Sequence, residues 1–391
     1  MTEDATADVT SADLMARWRA AVHDLVPEAV ALRHRLHGSP ALGGQETPTA
    51  QAVADWIGLG DGDLVAGTGR LLRLASGAGT AIAVRAELDG LPVVEETGVA
   101  WASSNGAMHA CGHDVHLAGL AAVVRAAAGL DLPRPLVALL QPREEGVDSG
   151  AKDVVDEGGL DGIEAVVAAH VQPRVDTGVI AVTPGPVNAA MDTFRVEVGG
   201  RGGHSGYPHT VDDSVLAVSA VVVALQQVGA RRIDPTAGVA CMVTQVHSGT
   251  ADNVVPSLAV CSGTVRTMRP DDRVTAHRVI EEIATSVAAG YGCRATVTIG
   301  RGEPVLANDV GLALRAGEML SELGHAVDPT FRSFGSDDFA VYCEHARGLM
   351  MFVGTGAEHG GLHDASYLPD DAYVATVADA LIAGYCAALV P

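Results

Sequence analysis

The stretch VTPGPVNAAMDTFRVEV, residues 182–198, contains the point at which the pattern of this 391-residue chain changes. Before the turn Pro184-Gly185-Pro186, helical segments alternate with short apolar strands, which indicates an α/β layer with a largely parallel sheet. After the turn, Phe194 to Val198 alternates apolar and polar residues, as a half-buried strand does. A chain of this length also exceeds what one hydrophobic core supports. We therefore expect a small domain inserted into a larger one.

The first pattern predicts helices and buried strands in turn. Catalytic groups are then expected where the parallel strands end, because ligand sites of such sheets lie at the carboxyl ends of the strands. The predicted elements are helices over Ala12–Leu36, Thr49–Leu59 and His113–Leu130, and strands over Ala81–Arg85, Leu136–Gln141 and Ala165–His170.

The second pattern has the order β-α-β-β-α-β, which is typical of a ferredoxin-like α+β domain. Its members after Phe194–Val198 are Val211–Val228 (helix), Val239–Val246 and Leu258–Thr267 (strands), Asp272–Ala289 (helix) and Ala295–Ile299 (strand). The first pattern then resumes with a strand at Leu349–Val353 and a closing helix at Asp371–Leu389. We predict a larger domain from residues 11–185 and 300–391, and an inserted domain from residues 186–299.

The charge of the chain excludes several partners. A net charge of −23 makes nucleic acid and anionic membrane surfaces poor partners, since phosphate binding needs a basic stripe. The acidic start MTEDATADVT lacks the features of a secretory signal, and the apolar run Val215 to Leu225 is too short for a membrane span. Six scattered cysteines favour reduced thiols. The expected location is the cytoplasm.

A cluster of metal-binding residue types lies in MHACGHDVHL, residues 108–117. Cys111 and His113 are ligand types that zinc and related transition metals prefer, and the spacing Cys-x-His lets one loop reach one or two ions. Taken alone, a cysteine and a histidine in a loop of small residues are more often packing or capping groups. The metal interpretation therefore depends on other segments.

The second such segment is QPREEG, residues 141–146, at the end of a predicted strand. Side chains of neighbouring residues point to opposite sides of an extended chain, so Glu144 and Glu145 can serve different purposes. In a hydrolytic metal site one carboxylate holds an ion, and the other takes a proton from water and returns it to the leaving nitrogen. A solvated acidic turn is the alternative.

Two further histidines complete the set. His170 ends the buried apolar segment AVVAAH, where an imidazole needs a partner. His363 lies in the loop GGLHDASY, far along the chain, and a hydrogen-bonded loop histidine is its alternative interpretation. Ligands from four strand ends of one parallel sheet would form a pocket at its C-terminal edge.

These motifs resemble a known family. The sequence is similar to the metal-dependent amidohydrolases that include hippurate hydrolase, N-acyl-amino-acid aminoacylases and plant auxin-conjugate hydrolases, relatives of carboxypeptidase G-type enzymes. Besides MHACGHDVHL, QPREEG and LHDASY, the matching motifs are RHRLHGSPALGGQET (33–47), AVRAELDGLP (83–92), GGRGGHSGYPH (199–209), GTADNVVP (249–256), GTVRTMRP (263–270) and GSDDFAVY (335–342).

The resemblance implies a site with two divalent metal ions, zinc or manganese, in which Cys111 bridges both ions. It implies that Glu144 is the general base, and Asp114 and His116 are expected to orient ligands rather than to bind metal. The five residues matching the ligands are Cys111, His113, Glu145, His170 and His363.

The resemblance also assigns the inserted domain to a lid and dimerisation domain, which implies a homodimer. His204 matches a residue that contacts the substrate amide and stabilises the developing oxyanion. Asn253 and Arg266 fall in the matching motifs and are expected to bind substrate, with Arg266 receiving a carboxylate. A surface salt bridge is the alternative interpretation of Arg266.

Three features depart from the family pattern. Relatives usually carry Asp at the position of Glu87, and a small residue at that of Arg143. Val147, Asp148 and Ser149 replace a glycine-rich run. These changes concern the metal scaffold and the rim of the pocket, so they affect substrate choice, whereas every proposed ligand is present.

The chain is therefore predicted to be a binuclear metal-dependent amidohydrolase acting on N-acyl amino acids or similar small amide conjugates. A metallo-dipeptidase or aminopeptidase on the same scaffold is one alternative. A non-catalytic protein that binds a small molecule is the other. The acyl group, the amino-acid side chain and the stereochemistry of the substrate do not follow from the pattern.

Overall fold

The computed structural model describes residues 11–74, 77–146 and 148–390. The chain divides into two compact units. The first unit contains the residues through Gly185, the segment Ala307–Phe331 and the residues from Asp338 onward. The second unit contains Pro186–Leu306 and the short segment Arg332–Asp337.

Helices and strands are numbered separately in chain order. The helices are α1 Ser11–His37, α2 Thr47–Ile57, α3 His113–Ala127, α4 Gly150–Asp156, α5 Ser214–Leu225, α6 Pro270–Gly290, α7 Val310–Glu322, α8 Phe339–Cys343 and α9 Tyr373–Ala388. The strands are β1 Asp63–Val65, β2 Gly69–Leu74, β3 Ala81–Glu87, β4 Leu136–Gln141, β5 Ile163–Gln172, β6 Val179–Ala181, β7 Gly185–Asn188, β8 Ala190–Gly199, β9 Gly203–His204, β10 Val239–Ser248, β11 Val254–Val255, β12 Leu258–Thr267, β13 Arg294–Arg301, β14 Leu306–Asn308, β15 Ala326–Asp328 and β16 Arg347–Gly354.

The sheet of the first unit has the order β1-β2-β4-β3-β5-β16-β6-β15. Strands β4, β3, β5 and β16 run parallel to one another at its centre. Strand β2 pairs antiparallel with β4, and β6 pairs antiparallel with β16. The parallel centre is buried, which explains why its strands are mostly apolar rather than alternating, with Arg85 and Glu87 of β3 as charged exceptions. The predicted α/β class of the larger domain is confirmed.

Alternate residues of the central strands face two helical layers. Ile82, Val84 and Ala86 of β3 join the large core that includes residues of α1, α3 and α9. Arg85 points to the other face, where it contacts Asp338 at the start of α8. Helix α3 is buried on nearly all sides, because it packs against α1, α9 and the sheet. This packing holds the N-terminal end of α3 beside the ends of the parallel strands.

The sheet of the second unit is antiparallel, with the order β10-β12-β8-β13. Phe194, Val196 and Val198 of β8 pack with apolar residues of α5 and α6 in one core. The ferredoxin-like arrangement predicted for the inserted domain is present. Helix α5 begins later than the predicted Val211, because the Asp213 side chain caps it by accepting a hydrogen bond of 2.9 Å from the N–H of Leu216.

The border of the inserted domain and the lengths of the helices can be compared with the sequence predictions. The border predicted at residue 300 falls inside β13, which is paired with β8, and the main segment of the second unit runs on to Leu306. In the described part of the chain, no helix is long and apolar enough to cross a membrane.

Candidate metal centre

Donor side chains meet at the C-terminal edge of the parallel strands in the first unit. Cys111 and His113 lie in and after the loop that follows β3, Glu144 and Glu145 follow β4, His170 lies near the end of β5, and His363 follows β16. Because the four strands are parallel neighbours, residues distant in sequence arrive at one edge. The structure therefore brings together all six residues predicted for the metal site and the general base.

One half of the site combines sulfur, nitrogen and oxygen donors. The Nε2 atom of His170 lies 3.4 Å from the Sγ atom of Cys111. The Nε2 atom of His363 lies 3.2 Å from Oε1 of Glu145. Donor atoms of Cys111, Glu145 and His363 all lie within 4.8 Å of one another. Such a mixed donor set suits zinc and related divalent metals.

The other half combines His113 with the two glutamates. The Nε2 atom of His113 lies 3.7 Å from Oε2 of Glu144 and 4.0 Å from Oε1 of Glu145. Glu145 therefore belongs to both halves, whereas Glu144 lies beside His113 and Glu145 in the second half. This difference fits the predicted division of labour between the two carboxylates.

Hydrogen bonds at Nδ1 direct the Nε2 atoms of two histidines toward the site. His113 donates from Nδ1 to the backbone oxygen of Asp89 over 2.8 Å. His170 donates from Nδ1 to the backbone oxygen of Val171 over 2.6 Å. In the neutral form of each imidazole the lone pair is then on Nε2, which is the tautomer that a metal-binding histidine needs.

Two observations show that these residues fit a cation. Nε2 of His113 is buried, and within the described residues it has no hydrogen-bond partner. Burial, followed by the negative charges of Glu145 and Glu144, raises the pKa of the Cys111 thiol well above its usual value. A thiolate at this position therefore needs a positive charge beside it. A divalent cation would meet both requirements.

His116 lies beside the site, but both of its ring nitrogens are occupied. Nδ1 lies 2.9 Å from Oε2 of Glu87, and Nε2 accepts a hydrogen bond of 2.9 Å from the N–H of Val171. Burial lowers the pKa of His116 to about 4, so the ring is neutral at pH 7. Glu87 also pairs with Arg85. Both carboxylate oxygens of Glu87, whose side chain is one methylene longer than that of Asp, are thereby bound. His116 in turn holds the backbone of Val171, the residue after His170.

The N-terminal end of α3 is held by buried charges. Asp114 accepts hydrogen bonds from Nε of Arg33 at 2.9 Å and from Nδ1 of His37 at 3.1 Å. Gly112 has φ +85°, and a Cβ atom there would lie 2.4 Å from a methyl group of Val171. Only glycine therefore fits between the two donors of the Cys-Gly-His motif.

His363 depends on an unusual backbone conformation. Its φ of +69° lies in the left-handed region, and its N–H donates to the backbone oxygen of Ala110 over 2.8 Å. Its side chain is about half exposed. Such conformations persist where surrounding contacts hold them, and they cluster at functional sites.

Sequence reasoning missed a buried polar network beside the glutamate loop. Asp338 accepts hydrogen bonds from Arg85 at 3.0 Å, from Gln141 at 2.8 Å, and from Ser149 at 2.9 Å. A signal was present in AIAVRAE, because an arginine and a glutamate within a buried strand require partners. The identity of those partners follows only from the strand order.

The predicted departures at the rim have different outcomes. The guanidinium of Arg143 is bound to Asp153 at 2.5 Å, so it is tied to α4. Ser149 caps α4 by accepting a hydrogen bond from the N–H of Lys152 at 3.3 Å. Val147 lies outside the described residues.

The second unit contains the other predicted residues. His204 lies on the β9–β11 ribbon and is exposed, and its Nδ1 accepts a hydrogen bond of 2.9 Å from the N–H of Gly206. The remaining ring nitrogen, Nε2, then carries the proton and is a donor. The backbone oxygen of Asn253 accepts from the N–H of Ser205 at 3.0 Å, which brings Asn253 next to this ribbon.

Arg266 lies on β12 of the second unit, away from the ribbon. Its guanidinium donates to the backbone oxygen of Phe334, and burial lowers its pKa. The contact is with a backbone oxygen, and within the described residues Arg266 forms no salt bridge. The guanidinium of Arg266 is therefore held by a backbone carbonyl rather than by a carboxylate.

Sulfur, imidazole and carboxylate donors at the strand ends of a parallel sheet are the arrangement expected of a metal-dependent hydrolase. A family model described as peptidase family M20/M25/M40 matches residues 83–381. The chain belongs to this family, and the resemblance to metal-dependent amidohydrolases is confirmed.

Individual relatives of known name are consistent with this family. The chain is 33% identical over 359 residues to an N-acetyl-L-cysteine deacetylase of Bacillus subtilis, covering 90% of this chain and 86% of the relative. It is 30% identical over 354 residues to an N-acetyldiaminopimelate deacetylase of Halalkalibacterium halodurans, covering 88% and 95%. Among solved structures, a dinuclear metal binding peptidase of the M20 family from B. subtilis has a TM-score of 0.83 and 28% identity, covering 94% of this chain and 99% of that one.

Proposed function

We propose that this protein is a binuclear metal-dependent amidohydrolase that cleaves the amide bond of N-acyl amino acids or similar small amide conjugates. The observation that carries the proposal is the meeting of six donor and proton-transfer side chains at one sheet edge. The relatives that are deacetylases of N-acetyl amino acids support the substrate class. The dinuclear metal binding peptidase supports two ions.

The proposed ligands of the two ions are the five residues that offer a suitable atom. Zinc and manganese are the candidate metals, and the sulfur and imidazole donors favour zinc. When bound, the divalent pair supplies Lewis acidity toward an amide oxygen and toward water. The ligands are Cys111, which would be shared by both ions, together with His113, Glu145, His170 and His363.

Glu144 is the proposed general base. Its Oε2 atom lies 3.7 Å from Nε2 of His113, beside the ligands. In the proposed reaction a Glu144 oxygen takes the proton of the attacking water. The same oxygen then gives that proton to the nitrogen of the leaving amine, so one group serves both proton transfers.

The residues of the second unit are proposed to act on the substrate. His204 would donate from Nε2 to the oxygen that becomes negative in the transition state, because its Nδ1 already accepts from Gly206. Arg266 would receive the carboxylate of the amino acid, and Asn253, next to the β9–β11 ribbon, would contact the substrate. Each role is a proposal that mutation of the single residue tests.

The experiment that tests the function compares two matched substrates. N-acetyl-L-alanine and L-alanyl-L-alanine release the same product, but only the second has a free α-amine. We expect colorimetric amine release from N-acetyl-L-alanine that is lost when a chelator strips the protein and restored by zinc or manganese. Amine release that is unaffected by metal removal would exclude the mechanism.

The same experiment separates the alternatives. Faster cleavage of the unblocked dipeptide would assign the protein to the dipeptidases or aminopeptidases of this scaffold. Absence of turnover with every metal would favour a non-catalytic binding protein. A panel of benzoyl and longer acyl derivatives would then define the acyl group.

A homodimer through the second unit is part of the proposal. Strand β10 is at the edge of its sheet and exposes Met242 and Val246, and α5 exposes Val223, which is 73% exposed. Apolar side chains on an edge strand favour pairing with another chain. Light scattering should give twice the chain mass, and Met242→Lys should shift the species toward the monomer.

The proposed location is the cytoplasm. All six cysteines are free thiols, as expected in a reducing compartment. We propose no nucleic-acid or membrane partner, because the net charge of −23 opposes binding to phosphate.

A further inference from the structure

We propose that Glu46 is a positioning residue for the pair Glu144 and Glu145. It holds the backbone of Arg143 and thereby sets where the next two side chains point. The inference rests on the proposed function for the roles of the two glutamates. The side-chain hydrogen bonds of Glu46 join it to Thr68 and to the N–H of Arg143, so it acts on the pair through the backbone.

The backbone immediately before the glutamate pair is in a strained conformation. Arg143 has φ +54°, in the left-handed region that a residue with a Cβ atom rarely adopts. The loop also closes tightly, since a Cβ atom on Gly150 would lie 1.7 Å from the backbone oxygen of Pro142. A conformation of this kind persists only where neighbouring groups hold it.

Buried carboxylates hold three successive N–H groups of this loop. The N–H of Arg143 donates to Oε1 of Glu46 at 2.9 Å. The N–H groups of Glu144 and Glu145 donate to Oδ1 and Oδ2 of Asp89 at 3.1 Å and 3.0 Å. Successive N–H groups around a left-handed residue form a concave site for an anion. In this protein the chain's own carboxylates occupy that site.

Glu46 is itself held firmly in place. Its side chain is fully buried, and its second oxygen accepts a hydrogen bond of 2.7 Å from Oγ1 of Thr68. Its backbone oxygen accepts from the N–H of Ala50 at 2.9 Å, in the first turn of α2. Glu46 thus transmits the position of α2 and of the β1–β2 turn to the loop that carries the proposed base.

Four variants test this inference. Glu46→Leu removes the acceptor, and Glu46→Gln keeps an oxygen for the N–H of Arg143. The double variant Glu46→Leu/Arg143→Gly removes the acceptor and also the backbone strain, because glycine adopts positive φ readily. Asp379→Asn is the matched control, since Asp379 is a buried carboxylate of α9 bound to Arg19 and not to the site.

The readouts are kcat and KM on N-acetyl-L-alanine and the visible absorption of the cobalt-loaded protein, which does not depend on turnover. We expect Glu46→Leu to lower kcat by about 10- to 100-fold with KM within about 3-fold, since small misplacements of reacting groups cost this much. Its cobalt spectrum should shift. Glu46→Gln should stay within about 3-fold of the parent protein, and the double variant should recover about 10-fold in kcat.

Wild-type kcat and an unshifted cobalt spectrum in Glu46→Leu would overturn the inference, as would an equal loss in Asp379→Asn. If Glu46→Leu does not fold, Thr68→Val replaces it: a smaller shift of the cobalt spectrum supports the inference, and an unchanged spectrum overturns it. If the parent protein does not hydrolyse amides, the proposed function fails, and the cobalt spectra alone decide the role of Glu46.

Discussion

The N–H of Val171 donates a hydrogen bond of 2.9 Å to Nε2 of His116. This bond uses the only ring nitrogen of His116 that Glu87 leaves open, although His116 lies among donors close enough to hold a metal. His116 is therefore expected to support His170 rather than to bind an ion.

The variant His116→Ala tests that assignment. We expect metal affinity to fall by about 10- to 100-fold while the protein still takes up both ions at high metal concentration, because supporting groups tune ligands without replacing them. His170→Ala should instead lose one ion per chain. Metal titration with elemental analysis distinguishes the two, and loss of a full ion from His116→Ala would make His116 a ligand.

The two adjacent glutamates should differ in the kind of defect they cause. Glu144→Gln is expected to lower kcat by at least about 100-fold, because proton transfer by a positioned group contributes about 10²- to 10⁴-fold. Its metal content should remain near that of the parent protein. Glu145→Gln should lose metal, since Glu145 contacts both His113 and His363. The reverse pattern would mean that the two roles are exchanged.

Cys111 should link metal uptake to proton release. Burial and the nearby charges of Glu145 and Glu144 raise the pKa of its thiol, so the metal-free protein keeps the thiol protonated at pH 7. A thiolate ligand must lose that proton, and apparent metal affinity should therefore rise with pH. In a weakly buffered titration with an indicator dye, Cys111→Ala should release one proton fewer per chain. Equal proton release would contradict the proposed ligand.

Asp192 should give the second unit a pH-dependent stability. Burial alone would raise the pKa of Asp192, but hydrogen bonds from Arg273 at 2.8 Å, Gly302 at 2.9 Å and His277 at 2.6 Å outweigh burial and lower it. A lowered pKa in the folded state stabilises the protein above the unfolded value of about 3.9, and the effect is lost as pH falls through the folded value.

Asp192→Asn should therefore lower the free energy of unfolding by about 3 kcal/mol near pH 7, as expected when a buried ion pair loses one partner. The difference from the parent should shrink below about pH 4. Urea unfolding followed by far-ultraviolet circular dichroism measures it. Glu282→Gln, which changes an exposed ion pair with Arg232, is the control and should leave the midpoint unchanged. A loss of unfolding free energy in Asp192→Asn that is the same near pH 7 and below about pH 4 would contradict the prediction.

Sequence patterns predicted the central elements well, because these depend on local periodicity. The strands over Leu136–Gln141 and Leu258–Thr267 were predicted with the bounds that the structure has. The β1–β2 pair and helices α7 and α8 were not predicted. Strands as short as Asp63–Val65 carry too few residues for alternation to show, and α8 spans only Phe339–Cys343.

The residues of the candidate site also fall into those that local sequence could predict and those that it could not. Cys111, Glu144 and His170 could be selected from residue type and from their places at strand ends. Glu46 and Asp338 could not, since each looks like an ordinary surface carboxylate until burial and its partners are known.

The sequence by itself determined the two structural patterns, the point where one is inserted into the other, and the residue types able to hold a metal, because turn residues and apolar spacing act within a few positions. Only the tertiary structure decided which donors meet and which carboxylates hold the loop before Glu144. Those contacts join residues far apart along the chain, and they depend on the order of the strands and the packing of α2, which no local pattern specifies.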